Sequence, residues 1–382
     1  MKLKTIAVKL HLWLGMATGL VVFIIGITGC LYAFIDELKP IVYQDRLVIE
    51  APEHAQRLPL SMLKDSAQKK LGEAYPLQGA EIPALKNGTV IFRTRKFNEH
   101  AFLYSNYIEY YYRVYVNPYT GQVVAIENTK WEFFNVVVNT HIHLLLGHDI
   151  GGQIVSWSVL LFVITLITGL ILWWPKNKKS AGKRLRFQWK ETTKWKRKNY
   201  DLHNIAGFYI FIITLVIAIT GMVWAFKWFD QKVQWAANGG KEFEKPKTVF
   251  SDTTITVTTF SSDSLIAHTC RQFPDATCFV GFPKSAKNPL TLFMDYEHVS
   301  EDVSLKYDQH TGKLLEHTTY ADKNNGAKIR ALNYDIHTGN ILDLPGKILA
   351  FIASLVAASL PVTGFLIWYG KGGKKNKAKE KP

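Results

Sequence analysis

Histidines are the residues of this 382-residue chain best suited to chemistry, and four of the twelve recur at matched places. His11 and His203 each open an apolar run, eighteen residues ahead of Gly29 and Gly221. His143 and His337 stand ahead of two further apolar runs, eight residues before Gly151 and nine before Gly346. At about 100° per helical residue, Gly15, Gly19, Val22, Gly26 and Gly29 fall within roughly 80° of His11. Gly207, Thr214, Ala218 and Gly221 repeat that stripe beneath His203. Small side chains let helices approach closely, and they also leave room for a flat macrocycle. Two neutral imidazoles from facing helices complete six-coordinate haem iron, the porphyrin giving the other four nitrogens.

Other uses of the same residues remain open at this stage. Interfacial histidines can hold water or lipid headgroups. Zinc wants four nitrogen, sulfur or carboxylate ligands, and no cysteine accompanies these positions. His141 and His148 flank His143 and compete with it as the ligand from the second run. Asp201 and Asp335 each precede a histidine by two residues. An acid can orient an imidazole, but that spacing puts the pair on different helix faces and suits a solvated helix-start acid better. His54, His100, His268, His298, His310 and His317 share no pattern and read as surface residues.

Four apolar stretches are long enough to carry these positions across a bilayer whose hydrocarbon core is about 30 Å thick: Leu12–Phe34, Ile154–Trp174, Ile205–Phe226 and Ile348–Tyr369. Aromatic residues sit at span ends, among them Trp173, Trp174, Trp224, Trp368 and Tyr369, as an interfacial belt requires. The net charge is +15, yet segments 1–9, 176–198 and 371–382 hold 20 of the 46 Lys and Arg with only Glu191 and Glu380 as acids. Basic residues confined to the flanks of apolar runs obey the positive-inside rule and argue against a nucleic-acid partner. Both termini are therefore expected in the cytoplasm of a bacterial inner membrane. Three cysteines are too few for a disulfide framework, though Cys270 and Cys278 share an outward segment where they can pair. No Cys-x-x-Cys-His occurs, which excludes covalent c-type haem attachment. Ile27-Thr28-Gly29-Cys30 resembles a lipoprotein cleavage site. The third span has the same Ile219-Thr220-Gly221 before Met222, so Thr-Gly reads as part of the fold.

That comparison exposes an internal repeat. Leu10-His11, Gly15, Thr28-Gly29 and Ala33-Phe34 return as Leu202-His203, Gly207, Thr220-Gly221 and Ala225-Phe226 without a gap. Thr168-Gly169 and Trp173 return as Thr363-Gly364 and Trp368. The stretches between spans share an Asn117 to Gly121 and an Asp308 to Gly312 turn of hairpin type. The expected fold is an α-helical membrane protein with four transmembrane helices in two parallel repeats, each carrying an extracytoplasmic α+β domain. The boundaries are a first span at 1–36, an outside domain at 37–135, a second span at 136–175 and a basic cytoplasmic loop at 176–200. A third span at 201–229, a second outside domain at 230–333, a fourth span at 334–370 and a basic tail at 371–382 complete the chain. The tyrosine run from Tyr104 to Tyr115 reads as strand packing ahead of a ligand platform.

The Leu-His and Thr-Gly spans, the Ile142-His143 to Gly151 and Ile336-His337-Thr338-Gly339 to Gly346 elements, and the paired Thr-Gly turns resemble the PepSY-associated transmembrane family. The resemblance covers nearly the whole chain. It implies a bacterial inner-membrane protein linked to iron uptake, of the ferric-siderophore reductase kind that holds two b-type haems. By position, His11 and His203 would hold the cytoplasmic-side haem, and His143 and His337 the periplasmic-side one. The implied partners are the lipid bilayer, a cytoplasmic reductant or quinol, and a periplasmic ferric chelate. PepSY domains also occur as protease-inhibitory modules, so a non-redox module acting on an envelope peptidase is the rival function. A protein that passes metal or haem along is a third.

Overall fold

The computed structural model describes residues 2–379 except 54, 55, 176, 178–181, 183, 243–247 and 256–259; His54 and much of the basic loop lie outside the described residues, as do the side chains of the tail from residue 371. Four helices are long and apolar enough to cross a membrane, Leu3–Tyr32, His148–Trp173, Trp195–Ala225 and Asn340–Gly370. They lie where the hydropathy pattern put them, each lengthened at one or both ends. Helix α1 (Lys2–Tyr32) packs against two others of the four, and α2 (Ile35–Val42) follows it directly. Several threonines inside these spans satisfy themselves locally. Thr18 and Thr28 of α1 donate to the carbonyls of Leu14 and Ile24, four residues back, at 2.9 and 2.8 Å.

Outside the bundle, helix α3 (Leu60–Leu71) is followed by strands β1 (Gly79–Ile82), β2 (Val90–Phe97), β3 (Ile108–Val116) and β4 (Val123–Asn128). Residues Phe133–His143 then form α4, and His148–Trp173 form α5. The second repeat runs through α6 (Trp195–Ala225), α7 (Lys227–Ala237), α8 (Ser262–Gln272), β5 (Thr277–Gly281), β6 (Leu290–Asp295), β7 (Val303–Tyr307), β8 (Leu314–Thr319), α9 (Asn325–Thr338) and α10 (Asp343–Lys379).

The strands do not form two separate sheets. They join into one antiparallel sheet of eight, ordered β4-β3-β2-β1-β5-β6-β7-β8, with Gly79 opposite Gly281 at the seam between the repeats. The unpaired edge of a four-stranded half is a liability, and pairing the two β1-type edges removes both. One face is the core, where Val90, Phe92, Val114, Leu292 and Met294 pack under Leu63 of α3 and Ile266 of α8. The opposite face carries the alternate residues. The repeated turns behave as expected. Asn117 Oδ1 accepts from the Tyr119 and Thr120 amides, Asp308 Oδ1 accepts from the His310 and Thr311 amides, and Gly121 and Gly312 take φ of 71° and 72°. Cys270 on α8 and Cys278 on β5 are both free thiols in hydrogen-bond contact. Tyr104, Tyr107 and Tyr111 are packed together as a small core with Ile108, in keeping with the structural reading of the tyrosine run.

The second and fourth membrane segments depart from expectation. The stretches 136–175 and 334–370 are not continuous helices. Helix α4 stops before Leu144 and Leu145, both left-handed, and α9 stops at Gly339 with φ 85°. The chain then turns sharply into α5 and α10. Glycines make that turn possible: a Cβ on Gly151 would lie 2.0 Å from the His143 carbonyl oxygen, and one on Gly346 would lie 2.0 Å from the Gly339 carbonyl oxygen. Those two glycines, recognised in the sequence only by their spacing, let each short helix fold back onto the span that follows it.

Candidate functional site

The small-residue stripe on α1 meets two kinds of neighbour. A Cβ on Gly26 would meet Ala358 Cβ at 2.9 Å and the Ser354 carbonyl at 3.0 Å, so this part of the stripe is a helix–helix contact with α10. Gly29 instead faces a histidine ring, that of His141, whose Cε1 would be 3.3 Å from an added Cβ.

Two histidine pairs form, one toward each end of the bundle. His11 on α1 and His203 on α6 have ring centroids 6.1 Å apart with planes at 89°. His141 on α4 and His337 on α9 have centroids 6.2 Å apart with planes at 77°. The partner of His337 is therefore His141 and not His143. His143 packs against Tyr107 and His148, at centroid distances of 5.8 and 5.3 Å, and its Nδ1 is buried without a hydrogen-bond partner. Spacing alone had no power to choose, because His141 and His143 each miss the register of the second repeat by one residue, in opposite directions along the run to Thr-Gly. The fold decides it, because α4 is a separate helix docked by its own end and not the first turns of a membrane span.

Each ring is held by a Thr-Gly dipeptide. His141 Nδ1 lies 3.1 Å from Thr28 Oγ1, and His337 Nδ1 lies 2.9 Å from Thr220 Oγ1. On the far side, His203 Nδ1 lies 2.9 Å from Thr363 Oγ1, while His11 Nδ1 lies 3.0 Å from the Thr165 carbonyl and 3.4 Å from Thr168 Oγ1. The four threonine hydroxyls donate backward along their own helices, to the carbonyls of Ile24, Ile164, Val216 and Ser359 at 2.8 to 3.0 Å. With its hydrogen spent, each oxygen acts as an acceptor, and a carbonyl can do nothing else. All four imidazoles are thereby assigned the Nδ1–H tautomer, which leaves the Nε2 lone pair free as a ligand. The glycine of each dipeptide clears space for the ring: an added Cβ would stand 3.1 Å from His11 Cε1 at Gly169, 3.2 Å from His203 Cε1 at Gly364 and 3.6 Å from His337 Cε1 at Gly221.

The connectivity is reciprocal. Within a repeat, the first span orients the histidine that precedes the second, and the second span orients the histidine of the first. Between repeats, the histidines face one another. Both pairs are thus made by the pseudo-symmetric association of two self-contained units, which explains why the dipeptide occurs four times.

Two asparagines absent from the sequence reading add a second grip. Asn199 Nδ2 donates to the Thr363 carbonyl at 3.0 Å and Asn333 Nδ2 to the Thr220 carbonyl at 3.1 Å. Each stands four residues before the histidine that bonds the same threonine, and that shared Asn-x-x-x-His spacing was the available signal. His203 itself lies in a π-helical turn, Leu202–Ala206, of the kind that often marks functional positions. The two acids next in line for an orienting role are engaged elsewhere, Asp201 with Arg197 Nε at 2.8 Å and Trp189 Nε1 at 3.2 Å, Asp335 with Asn340 Nδ2 at 3.3 Å.

A cavity of about 490 Å³ adjoins the His141–His337 pair, walled by Gly26, Gly29, Ala33, Gly152, Ala218 and Gly221 with Phe162 and Trp224. Burial pushes both imidazoles down, His337 to about 3 with His141 adding to the effect, so both are neutral at pH 7. His143 is likewise pushed down by burial, to about 4. Among the described residues no group of three or more His, Cys, Asp or Glu stands together as a bare-ion site. Each pair brings together two imidazoles, with no third such side chain grouped with them among the described residues.

Across residues 8–371 the chain matches the model of the PepSY-associated TM region. The chain belongs to that family. No curated protein matches it in sequence. As a PepSY-associated TM protein it is a multi-pass membrane protein, and the repeated His and Thr-Gly elements all fall inside the matched region.

Proposed function

We propose that this PepSY-associated TM protein is a di-haem b electron carrier of a bacterial inner membrane. It passes electrons from a cytoplasmic reductant or quinol to a periplasmic acceptor, a ferric chelate of the siderophore type. The observation that carries the reading is the repeated geometry of the two histidine pairs. A metal–imidazole bond of about 2 Å on each side, with ~1 Å more to each ring centre, spans roughly 6 Å between centroids. The measured 6.1 and 6.2 Å agree with that, and the tautomer leaves the correct nitrogen free in all four rings. Bound there, a haem held by the two histidines of a pair would supply a one-electron iron couple.

The chain's own residues do the rest. Thr28, Thr168, Thr220 and Thr363, with the Thr165 carbonyl, hold the rings against rotation and raise their basicity. The glycines leave space beside the rings, and the mainly apolar cavity wall borders the sheet-side pair. Along α1, His11 and Thr28 are seventeen residues apart, or about 25 Å at 1.5 Å per residue, so the pairs lie near opposite surfaces of a ~30 Å hydrocarbon core. A ferric chelate suits as acceptor because its hard oxygen ligands hold ferrous iron more weakly.

Optical spectroscopy of detergent-purified protein tests the reading. Low-spin b-type bands with about two haems per chain are expected, and His203→Ala should remove one haem and spare the other. Colourless protein from haem-replete cells would instead favour a non-redox module that restrains an envelope peptidase.

A further inference from the structure

The sheet face turned toward the bundle breaks the repeat symmetry in charge. On β2 and β3, Arg93 and Arg113 stand directly opposite each other. Phe92 and Val114, their neighbours, lie in the core under α3, so both arginines point to the bundle side. Like charges opposite one another on adjacent strands are destabilising. Among the described residues neither guanidinium has a carboxylate at ion-pair distance; Arg93 lies over the Phe279 ring at 5.4 Å, and Arg113 reaches only Tyr111 Oη at 3.4 Å. Glu127, beside Arg113 on β4, is already bound by Arg46 at 2.8 Å, by Tyr115 and by Thr129. Glu81 acts on Arg113 electrostatically without pairing with it, more strongly than Glu127 does.

The fold does not require these arginines. In the second repeat, the register that pairs Leu290 with Tyr307 places Phe293 opposite Ser304 at the equivalent points. One step along, where the first repeat has Arg95 opposite Tyr111, the second has Asp295, with Asp302 nearby. A third cation joins from α2. Lys39 is pushed down by burial and next by Arg113, with Glu132, Glu127 and Glu81 opposing. Arg113 also lies within electrostatic reach of Tyr32, which with Tyr334 lines the His141–His337 cavity.

We propose that Arg93 and Arg113 form a carboxylate-binding site between the sheet and the His141–His337 cavity. Planar guanidinium groups match carboxylates in fork geometry, and neither of these two is held in an ion pair by a carboxylate of the described residues. The site rests on the electron-transfer reading for its occupant. Two sources share the chemistry: propionate side chains of a porphyrin in the cavity, or a carboxylate-bearing ferric chelate arriving as acceptor.

The test uses full-length protein in detergent and two double variants, Arg93→Gln/Arg113→Gln and Arg93→Phe/Arg113→Ser. The second installs residues the same sheet already tolerates at equivalent positions. Haem per chain is measured beside the affinities for ferric citrate and for uncharged ferric acetohydroxamate. If a chelate is the occupant, both haems stay and ferric citrate binds at least ~tenfold more weakly, with acetohydroxamate unchanged. If propionates are the occupant, haem falls toward one per chain while citrate binding holds. Variants that match wild type in haem content and in both affinities overturn the proposal, as does a wild-type protein that binds neither haem nor citrate. Haem-free protein whose citrate affinity still depends on the arginines would overturn the electron-transfer reading and leave the site standing.

Discussion

Replacing Thr220 by valine isolates the orienting hydrogen bond from everything else near His337. Valine keeps the branched shape and removes the Oγ1 acceptor that stands 2.9 Å from His337 Nδ1. The half-buried ring has its Cε1 edge beside Gly221 and Trp224 packed against it, which restricts water from taking that partner's place. An unsatisfied buried N–H costs about 1–3 kcal/mol. The ring can avoid the cost by moving its proton to Nε2, which surrenders the lone pair needed for iron. Either route weakens ligation, and losing such an orienting partner typically costs 10–100-fold in metal affinity. Transfer of haem to an apoprotein acceptor gives the readout: one of the two haems should leave 10–100-fold faster and the other at the wild-type rate. Thr214→Val is the control on the same helix and the same cavity wall. Its hydroxyl is buried without a partner, so the change should leave haem retention intact and stability equal or slightly higher. Thr28→Val should loosen the same haem as Thr220→Val, because Thr28 orients the facing ring. Equal haem retention in Thr220→Val, Thr214→Val and wild type would refute the tautomer argument.

Three further outcomes follow from the geometry. Gly151→Ala and Gly346→Ala each force a Cβ to about 2 Å from a carbonyl oxygen, and both should lower the thermal midpoint in detergent by the equivalent of at least ~1–3 kcal/mol. Asp295 is held up at about 6 by burial and then by Asp302, Glu81, Asp36 and Asp335. Its folded pKa exceeds the unfolded value, so the stability linked to its proton is full below the ordinary carboxylate range and is lost as pH rises through 6. Asp295→Asn should therefore raise the midpoint at pH 8 and leave it unchanged at pH 4, and an equal effect at both would sink the assignment. His143 runs the other way: with a folded pKa near 4, below its unfolded value, its contribution is lost as pH falls from 6.5 toward 4. His143→Gln should flatten that part of the stability profile and leave haem content unchanged, whereas loss of a haem would return His143 to the ligand set.

The sequence by itself determined the membrane class, the four spans, the repeat and three of the four facing histidines. Those features are written in local pattern: apolar length sets a span, and offsets without gaps expose a duplication. It also singled out Thr-Gly and the two spaced glycines without saying what they do. Only the tertiary structure decided that His141, and not His143, faces His337, because that depends on how α4 folds back at Leu144 and Gly151. Only it showed that each threonine serves a histidine on a different helix, a relation between residues more than a hundred positions apart. The fusion of two outside units into one sheet was hidden for the same reason. A strand edge carries no mark of the partner it will meet, and the seam at Gly79 and Gly281 forms only when the two repeats are brought together above the bundle.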